Sequence, residues 1–367
     1  MLELRLAKGL VGVSGMSTPV GNPKESEESP GSMWPKDLIN LEAGETAWQV
    51  LKIRELSDLD RQDPFMVVDL GMLARRHQVF RQALPRVSPF YVVKCNSSPW
   101  VLHDLATLGT GFDCASQVEL EQGLGLGVAP SRIIYANPCK PYAACHGVRF
   151  LTFNSEGELI KVAQHHPGAS TKFGASLEVC EHMLKSARDL GLAVVGTRAQ
   201  DARHPIASRR PSPTAGACLR WAAGSGMTWV SWTSEGASLE RRALTLKFEE
   251  GRGVEVIAEP GRFYAASVCM IAVNVIARKA VLEPGGETEP RMPIVVKDLC
   301  PKLPLFSCTL YSPGCNAFDK LLLKEVQLPK LDVGDWLVFP SMGAYMSAMS
   351  SAFSGFPLPS HLLRHGT

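Results

Sequence analysis

From Phe65 onward, short β-branched and aromatic runs alternate with helical patterns at intervals of about twenty residues, and this alternation constrains the fold more than any other feature. Such spacing is the signature of repeated strand-helix units around a parallel sheet. The predicted strands are "FYVVK", "GFDCA", "RIIYANP", "RFLTFN", a short "AVVG" and "VEVIAEP". Helix starts between them carry capping boxes, Ser116 with Glu119 and Ser155 with Glu158, in which each side chain satisfies a backbone N–H of the other's residue. After Phe263 the pattern changes to β-like runs, "SVCMIAVNVIARKAVL", "MPIVV" and "DWLVFP", separated by turns such as "PGG" and "DVGD". That change predicts a second, all-β domain.

With 367 residues the chain exceeds the usual span of roughly 50–250 per domain, which also argues for two domains. A hydrophobic content of 45% and a formal net charge of +2 predict a soluble globular protein without the electrostatic footprint of a nucleic-acid binder. Ten cysteines are scattered without CxxC or His-ligand spacing, so free thiols in a reducing compartment fit better than a zinc site or a disulfide scaffold. The N-terminus has no apolar core of signal-peptide length, and "NPKESEESPGS" reads as a disordered polar tail. The longest apolar stretch, Phe263 to Ala277, is broken by Asn274 and falls short of the ~20 residues of a membrane span. A cytoplasmic protein is expected.

Lys94, Asp113, Asn137, Asn154 and Glu259 all fall at the ends of predicted strands, where the loops of an α/β barrel converge on its chemistry. Lys94 ends the run "PFYVVKCNSSP", which reads as a buried strand. A lysine is rarely buried without a partner or a task. On a barrel rim, partial desolvation leaves a fraction as nucleophilic amine, suited to a Schiff base with a carbonyl cofactor. "AEPGRFY" supplies a complement: Glu259 to pair with a protonated pyridine nitrogen, then Gly261 and Arg262 to hold phosphate. Together these imply pyridoxal phosphate.

Here the sequence resembles the ornithine decarboxylase group of fold-type III pyridoxal-phosphate decarboxylases, including their antizyme-inhibitor relatives. The resemblance rests on "LPRVSPFYVVKCNSS", "GTGFDCAS", "SRIIYANPCK", "LKFEEG", "IAEPGRFY", "GCNAFD" and "VGDWLVFPSMGAY", and it covers roughly residues 64 to 355 with gaps. It implies an alanine-racemase-like (β/α)8 TIM barrel plus a C-terminal β domain, in a homodimer with shared active sites. By the resemblance Lys94 would bear the coenzyme, Glu259 would face its pyridine nitrogen, Gly261, Arg262 and Tyr345 would hold the phosphate, and Asp113 would lie in the cofactor pocket. Cys315 would donate a proton across the dimer interface after CO₂ loss. Read alone, a strand-end lysine is a surface snorkeller and Cys315 a small hydrophobe. Asp113 alone could cap or pair locally, and Tyr345 could be a core aromatic.

Departures from the family carry expectations of their own. "HHPGAS" runs directly into "TKFGASLE" where the family has a whole barrel strand, and the stretch 197–243 lacks the family's stacking histidine and glycine-rich phosphate loop. "WVSWTSEGASLE" can be encoded so that the neighbouring reading frame gives LGLLDIGGGFPG, the missing loop, which points to a frameshifted exon or a mis-spliced product. The barrel is therefore expected to be damaged, with strands missing, and coenzyme binding to be weak or absent. Asn316 stands where ornithine decarboxylases carry an aspartate, so a neutral side chain would suit the substrate site better than a diamine's distal cation. "YANPCKPYAACHG" lacks about six residues of a helix that the family uses to bind antizyme.

The expected organisation is a disordered tail over 1–34 and a lead-in over 35–64 that contributes to the β domain, followed by the barrel over 65–265. The β domain would span 266–355 and a tail 356–367. The implied functions are decarboxylation of a small amino acid in polyamine biosynthesis, ornithine by family, or a non-catalytic antizyme-inhibitor-like role, with a non-functional mis-spliced product as the third reading. Neither a nucleic acid nor a membrane is an expected partner.

Overall fold

A computed structural model describes residues 2–6, 63–137, 140–153, 155–165, 170–173, 177–201, 229–234, 255–280, 294–295, 304–311, 325–346 and 359–364. In chain order the strands are β1 (Leu2–Leu6), β2 (Phe65–Asp69), β3 (Val87–Val92), β4 (Gly111–Cys114), β5 (Ile133–Tyr135), β6 (Phe150–Phe153), β7 (Ser170–Phe173) and β8 (Ala193–Asp201). They continue as β9 (Trp229–Ser234), β10 (Glu255–Ala258), β11 (Cys269–Ala280), β12 (Ile294–Val295), β13 (Leu305–Tyr311), β14 (Val326–Pro329), β15 (Trp336–Phe339) and β16 (Ser360–Arg364). The α-helices are α1 (Gly71–Ala83), α2 (Pro99–Thr107), α3 (Gln117–Gly125), α4 (Lys140–Cys145), α5 (Glu156–His165), α6 (Leu177–Asp189) and the single turn α7 (Arg262–Ala265). The chain divides into two units, Leu73–Ala265 on one hand and Met1–Met72 with Ala266–Thr367 on the other.

The first unit is a closed barrel of parallel strands in the order β10-β3-β4-β5-β6-β7-β8-β9, with β9 returning to β10. This corrects the expectation of a damaged barrel. The strand thought missing is β7, whose "STKF" pairs with both β6 and β8. The stretch 197–243 supplies the end of β8 and all of β9, six residues in which β8 pairs along Gly196 to Asp201. Strand pairing draws on backbone groups and tolerates any sequence that fits a pleated surface, and "WVSWTS" is rich in aromatic and β-branched residues. Closing the ring also removes the exposed edges that an open barrel would leave.

Side chains fill the barrel in layers. Phe90 of β3, Ile134 of β5 and Ile257 of β10 form one buried cluster with Phe150 of β6 packed on it. One layer nearer the amino ends, Ser88 donates its hydroxyl to Glu255 at 3.0 Å. Outward-facing residues alternate with these, as a two-residue pleat requires. Phe112 of β4 lies against Gly123 of α3, where a Cβ would stand 3.0 Å from its ring. Helix α3 opens as its capping box predicts: Ser116 Oγ accepts from the Glu119 N–H at 3.3 Å. The Glu119 carboxylate reaches one residue further back than expected, accepting from the Ala115 N–H at 2.6 Å. At α5, Ser155 takes the N-cap position, its carbonyl accepting from the N–H groups of Glu158 and Leu159.

The second unit is an eight-stranded sheet running β12-β15-β11-β1-β13-β14, with β2 joined to β11 and β16. Three boundaries move as a result. Residues 65–68, expected to open the barrel, instead pair antiparallel with Cys269–Ala272 of β11. Leu2–Leu6, expected in a tail, lie between β11 and β13, and the remainder of that tail is outside the described residues. Ser360–Arg364, expected in the C-terminal tail, run parallel to β2. All three involve partners far away in sequence, which local patterning does not encode. Among the described residues no helix is long and apolar enough to cross a membrane. Cys95, Cys114, Cys145, Cys269 and Cys308 are free thiols.

Candidate active site

Three consecutive barrel strands, β10, β3 and β4, end with the residues that the sequence singled out. Glu259 follows Ile257 by two positions and so continues the inward face of β10; it is 2% exposed. Asp113 pairs in register with Val92 and neighbours the outward Phe112, which turns it to the barrel interior, where it is 3% exposed. Lys94 lies beyond the end of β3, between those two carboxylate-bearing strands.

Lys94 is exposed, although the run that leads into it reads as a buried strand. β3 stops at Val92, and the chain turns into a 3₁₀ segment, Val93–Cys95, whose flanking residues Val93 and Cys95 are fully buried while Lys94 is exposed. The turn breaks the two-residue alternation on which the buried-strand reading relied. Its consequence is an amine that a carbonyl compound can reach.

The segment after β10 is locked onto this turn. Val92 donates its N–H to the Pro260 carbonyl at 3.4 Å. Gly261 is buried against Cys95 and Val92, so closely that a Cβ would lie 3.2 Å from Cys95 Cβ and 3.4 Å from Val92 Cβ. Arg262 begins α7 and is exposed. Gly261, Arg262 and Glu259 therefore share one turn beside Lys94.

Tyr345 belongs to the other unit, where it is half-buried with φ 61°. A bulky residue in the left-handed region costs of order 1–3 kcal/mol and persists where its surroundings over-determine it. Hydrogen bonds from Met342 N–H to Cys269 O at 2.8 Å and from Gly343 N–H to Ala266 O at 3.1 Å hold the segment that carries it. Cys315, Asn316 and Asn154 lie outside the described residues. Asn137, a further strand-end candidate, lies two residues beyond β5 and donates its amide to Ala115 O.

Burial, helped by the Asp113 and Glu119 carboxylates, pushes the Cys114 thiol well above its usual range, which makes it an inert neighbour of Asp113. Sequence reading passed over an aromatic cluster behind the site. Tyr264 stands at 5.5 Å from Phe263, 6.1 Å from Phe80 and 6.2 Å from Tyr91 between ring centroids. His77 meets the Tyr264 hydroxyl at 2.9 Å. The aromatic pair in "GRFY" was the available signal.

An exposed amine and a buried inward carboxylate on neighbouring strands fit a pyridine-ring coenzyme carrying an aldehyde, since the first can condense with the carbonyl and the second can accept from a protonated ring nitrogen. Residues 70–171 match the family model described as pyridoxal-dependent decarboxylase, pyridoxal binding domain. The chain is 37% identical over 396 residues to antizyme inhibitor 2 of Xenopus laevis, covering 89% of this chain and 87% of that protein. It is 36% identical over 395 residues to ornithine decarboxylase of Mus musculus, covering 88% and 86%. Among solved structures, the arginine decarboxylase of Paramecium bursaria Chlorella virus superposes with a TM-score of 0.76 at 24% identity, over 86% of this chain and all of that one. The lysine decarboxylase of Selenomonas ruminantium gives 0.70 at 24% identity, over 89% and 97%. Both share the barrel and β-domain fold. The chain belongs to the ornithine decarboxylase and antizyme inhibitor family.

Proposed function

We propose that the chain is an ornithine-decarboxylase-like protein that takes pyridoxal phosphate on Lys94 and acts on a small amino acid. The observation that carries this reading is the placement of Lys94 and Glu259 at the adjoining ends of β3 and β10, one exposed and the other buried. Lys94 would bind the coenzyme through its amine, and Glu259 would keep a proton on the ring nitrogen. Asp113 would bound the pocket on the far side of β3. Gly261 and Arg262 would hold the phosphate. The bound coenzyme supplies an electron sink for the pair left behind as CO₂ departs. Cys315 would return the proton to the substrate carbon, and Asn316 beside it would favour a neutral side chain over a distal cation.

Adding pyridoxal phosphate to the purified chain should produce a visible absorbance band, absent from Lys94→Ala, and CO₂ release should be assayed with ornithine, lysine, arginine and leucine. A wild-type protein without the band overturns the coenzyme reading. A second reading, a non-catalytic regulator that binds antizyme, is favoured by the 37% identity to an antizyme inhibitor. Retention on immobilised antizyme by a chain that releases no CO₂ would decide for it, and no retention at micromolar protein would remove it.

A further inference from the structure

Tyr91 is fully buried, with its hydroxyl donating to the Asn96 carbonyl at 3.1 Å. That bond spans the 3₁₀ turn Val93–Cys95 from one side to the other, so it closes a loop around Lys94. The far anchor is itself fixed: Asn96 is 1% exposed, its Oδ1 accepts from Ser98 N–H at 3.1 Å and from Ser98 Oγ at 2.6 Å, and Ser98 is the N-cap of α2. The near anchor is fixed by its ring. Tyr91 meets Phe112 of β4 edge-on at 6.5 Å and Tyr264 of α7 at 6.2 Å and 82°. One side chain thus touches the strand bearing Asp113, the segment bearing Glu259 and Arg262, and the far end of the turn bearing Lys94.

We propose that Tyr91 is a positioning residue that sets the direction of the Lys94 amine relative to the two flanking carboxylates. The assignment rests on the reading of Lys94 as the coenzyme-bearing lysine. Packing holds the buried Val93 and Cys95 on either side of Lys94, and the buried phenol adds a hydrogen-bonded tie to the residue that follows the turn, fixing the backbone from which the exposed amine projects. Phenylalanine in its place keeps both ring contacts and removes only the tie.

The test compares Tyr91→Phe with Tyr264→Phe, which removes a buried hydroxyl bonded to His77 instead of to the turn. Amide hydrogen exchange of the coenzyme-free protein is read over residues 93–96, with residues 111–114 of β4 as the internal reference. Tyr91→Phe should speed exchange in 93–96 about fivefold or more, the loss of one hydrogen bond, and leave 111–114 unchanged. Tyr264→Phe should leave 93–96 unchanged. Reductive trapping of pyridoxal phosphate onto Lys94, followed by mass spectrometry, should need a several-fold higher coenzyme concentration in Tyr91→Phe than in wild type.

Equal acceleration in both segments would mean a general structural role and would overturn the assignment. So would unchanged exchange in 93–96, or an unaltered trapping midpoint. If the wild type is not trapped at Lys94 at all, the coenzyme reading fails and the positioning assignment falls with it, while the exchange data still report whether the tie exists.

Discussion

Gly261 stands against Cys95 with no room for a side chain between them: a Cβ on Gly261 would come within 3.2 Å of Cys95 Cβ and 3.3 Å of its Sγ. The contact joins the turn after β10 to the turn after β3, so the spacing of Glu259 from Lys94 is set by packing between neighbouring loops. Alanine at 261 would force the buried Cys95 and Val92 aside by a few tenths of an ångström. Gly261→Ala should cost about 1–2 kcal/mol in urea denaturation, and Cys95→Ala in the same chain should recover part of it by removing Sγ. An undiminished midpoint for the single variant would show that the loops are not in contact.

The barrel contains a harsher case. A Cβ on Gly111, the first residue of β4, would lie 2.5 Å from Phe90 Cδ1 and 2.7 Å from the Arg132 carbonyl. Phe90 is in turn confined by the Arg132 guanidinium, 4.8 Å from its ring centroid. Neither a core ring nor a backbone oxygen can withdraw, so Gly111→Ala should destabilise by about 3 kcal/mol. Gly125, the last residue of α3, has nothing within 4 Å of its Cβ position, and Gly125→Ala should be neutral or stabilising by up to about 1 kcal/mol. Thermal melts of the pair check both, and a similar loss in each would contradict the packing described.

The sequence was informative where local chemistry decides and silent where distant partners do. Each of β3, β4, β5, β6, β8 and β10 is an apolar or β-branched run, and each was legible. β7 is four residues, "STKF", with a lysine and no apolar run, and β9 sits in a stretch without periodicity; their existence depends on the gap that β6, β8 and β10 leave in the ring. The run "FMVVD" of β2 was plainly a strand, but nothing in it says that its partners are β11 and β16. At the site, strand-end position picked out Asp113 and Glu259, and the structure adds that both are buried, at 3% and 2% exposure. The 3₁₀ turn after Val92, which leaves Lys94 exposed, has no sequence mark of its own.

Acid should weaken the fold through two histidines. Burial, with the Arg81 guanidinium adding to it, holds His77 below its ordinary range, and burial alone does the same for His361. A histidine with a depressed pKa binds its proton more readily unfolded, so the stability it protects is complete above the unfolded value of about 6.5 and declines as pH falls below it, until the folded group titrates as well. Denaturation midpoints should therefore drop between pH 7 and 5, and His77→Gln should flatten part of that slope. A slope untouched in both His77→Gln and His361→Gln would remove these groups as its cause.

Lys94 and Glu259 should separate chemistry from folding when each is truncated. The Lys94 side chain is exposed and leaves no cavity when removed, so Lys94→Ala should shift stability by no more than about 0.5 kcal/mol while abolishing covalent capture of pyridoxal phosphate. Glu259 is 2% exposed at the inner end of β10, and Glu259→Ala opens a void there that should cost about 2 kcal/mol. Glu259→Gln fills the same volume and should keep most of that stability, yet it cannot hold a pyridinium proton by charge. Its trapped coenzyme should therefore show an altered absorbance maximum with the Lys94 linkage still formed. Urea midpoints and spectra of the three variants test the division, and a Glu259→Gln spectrum identical to wild type would remove Glu259 from the ring nitrogen.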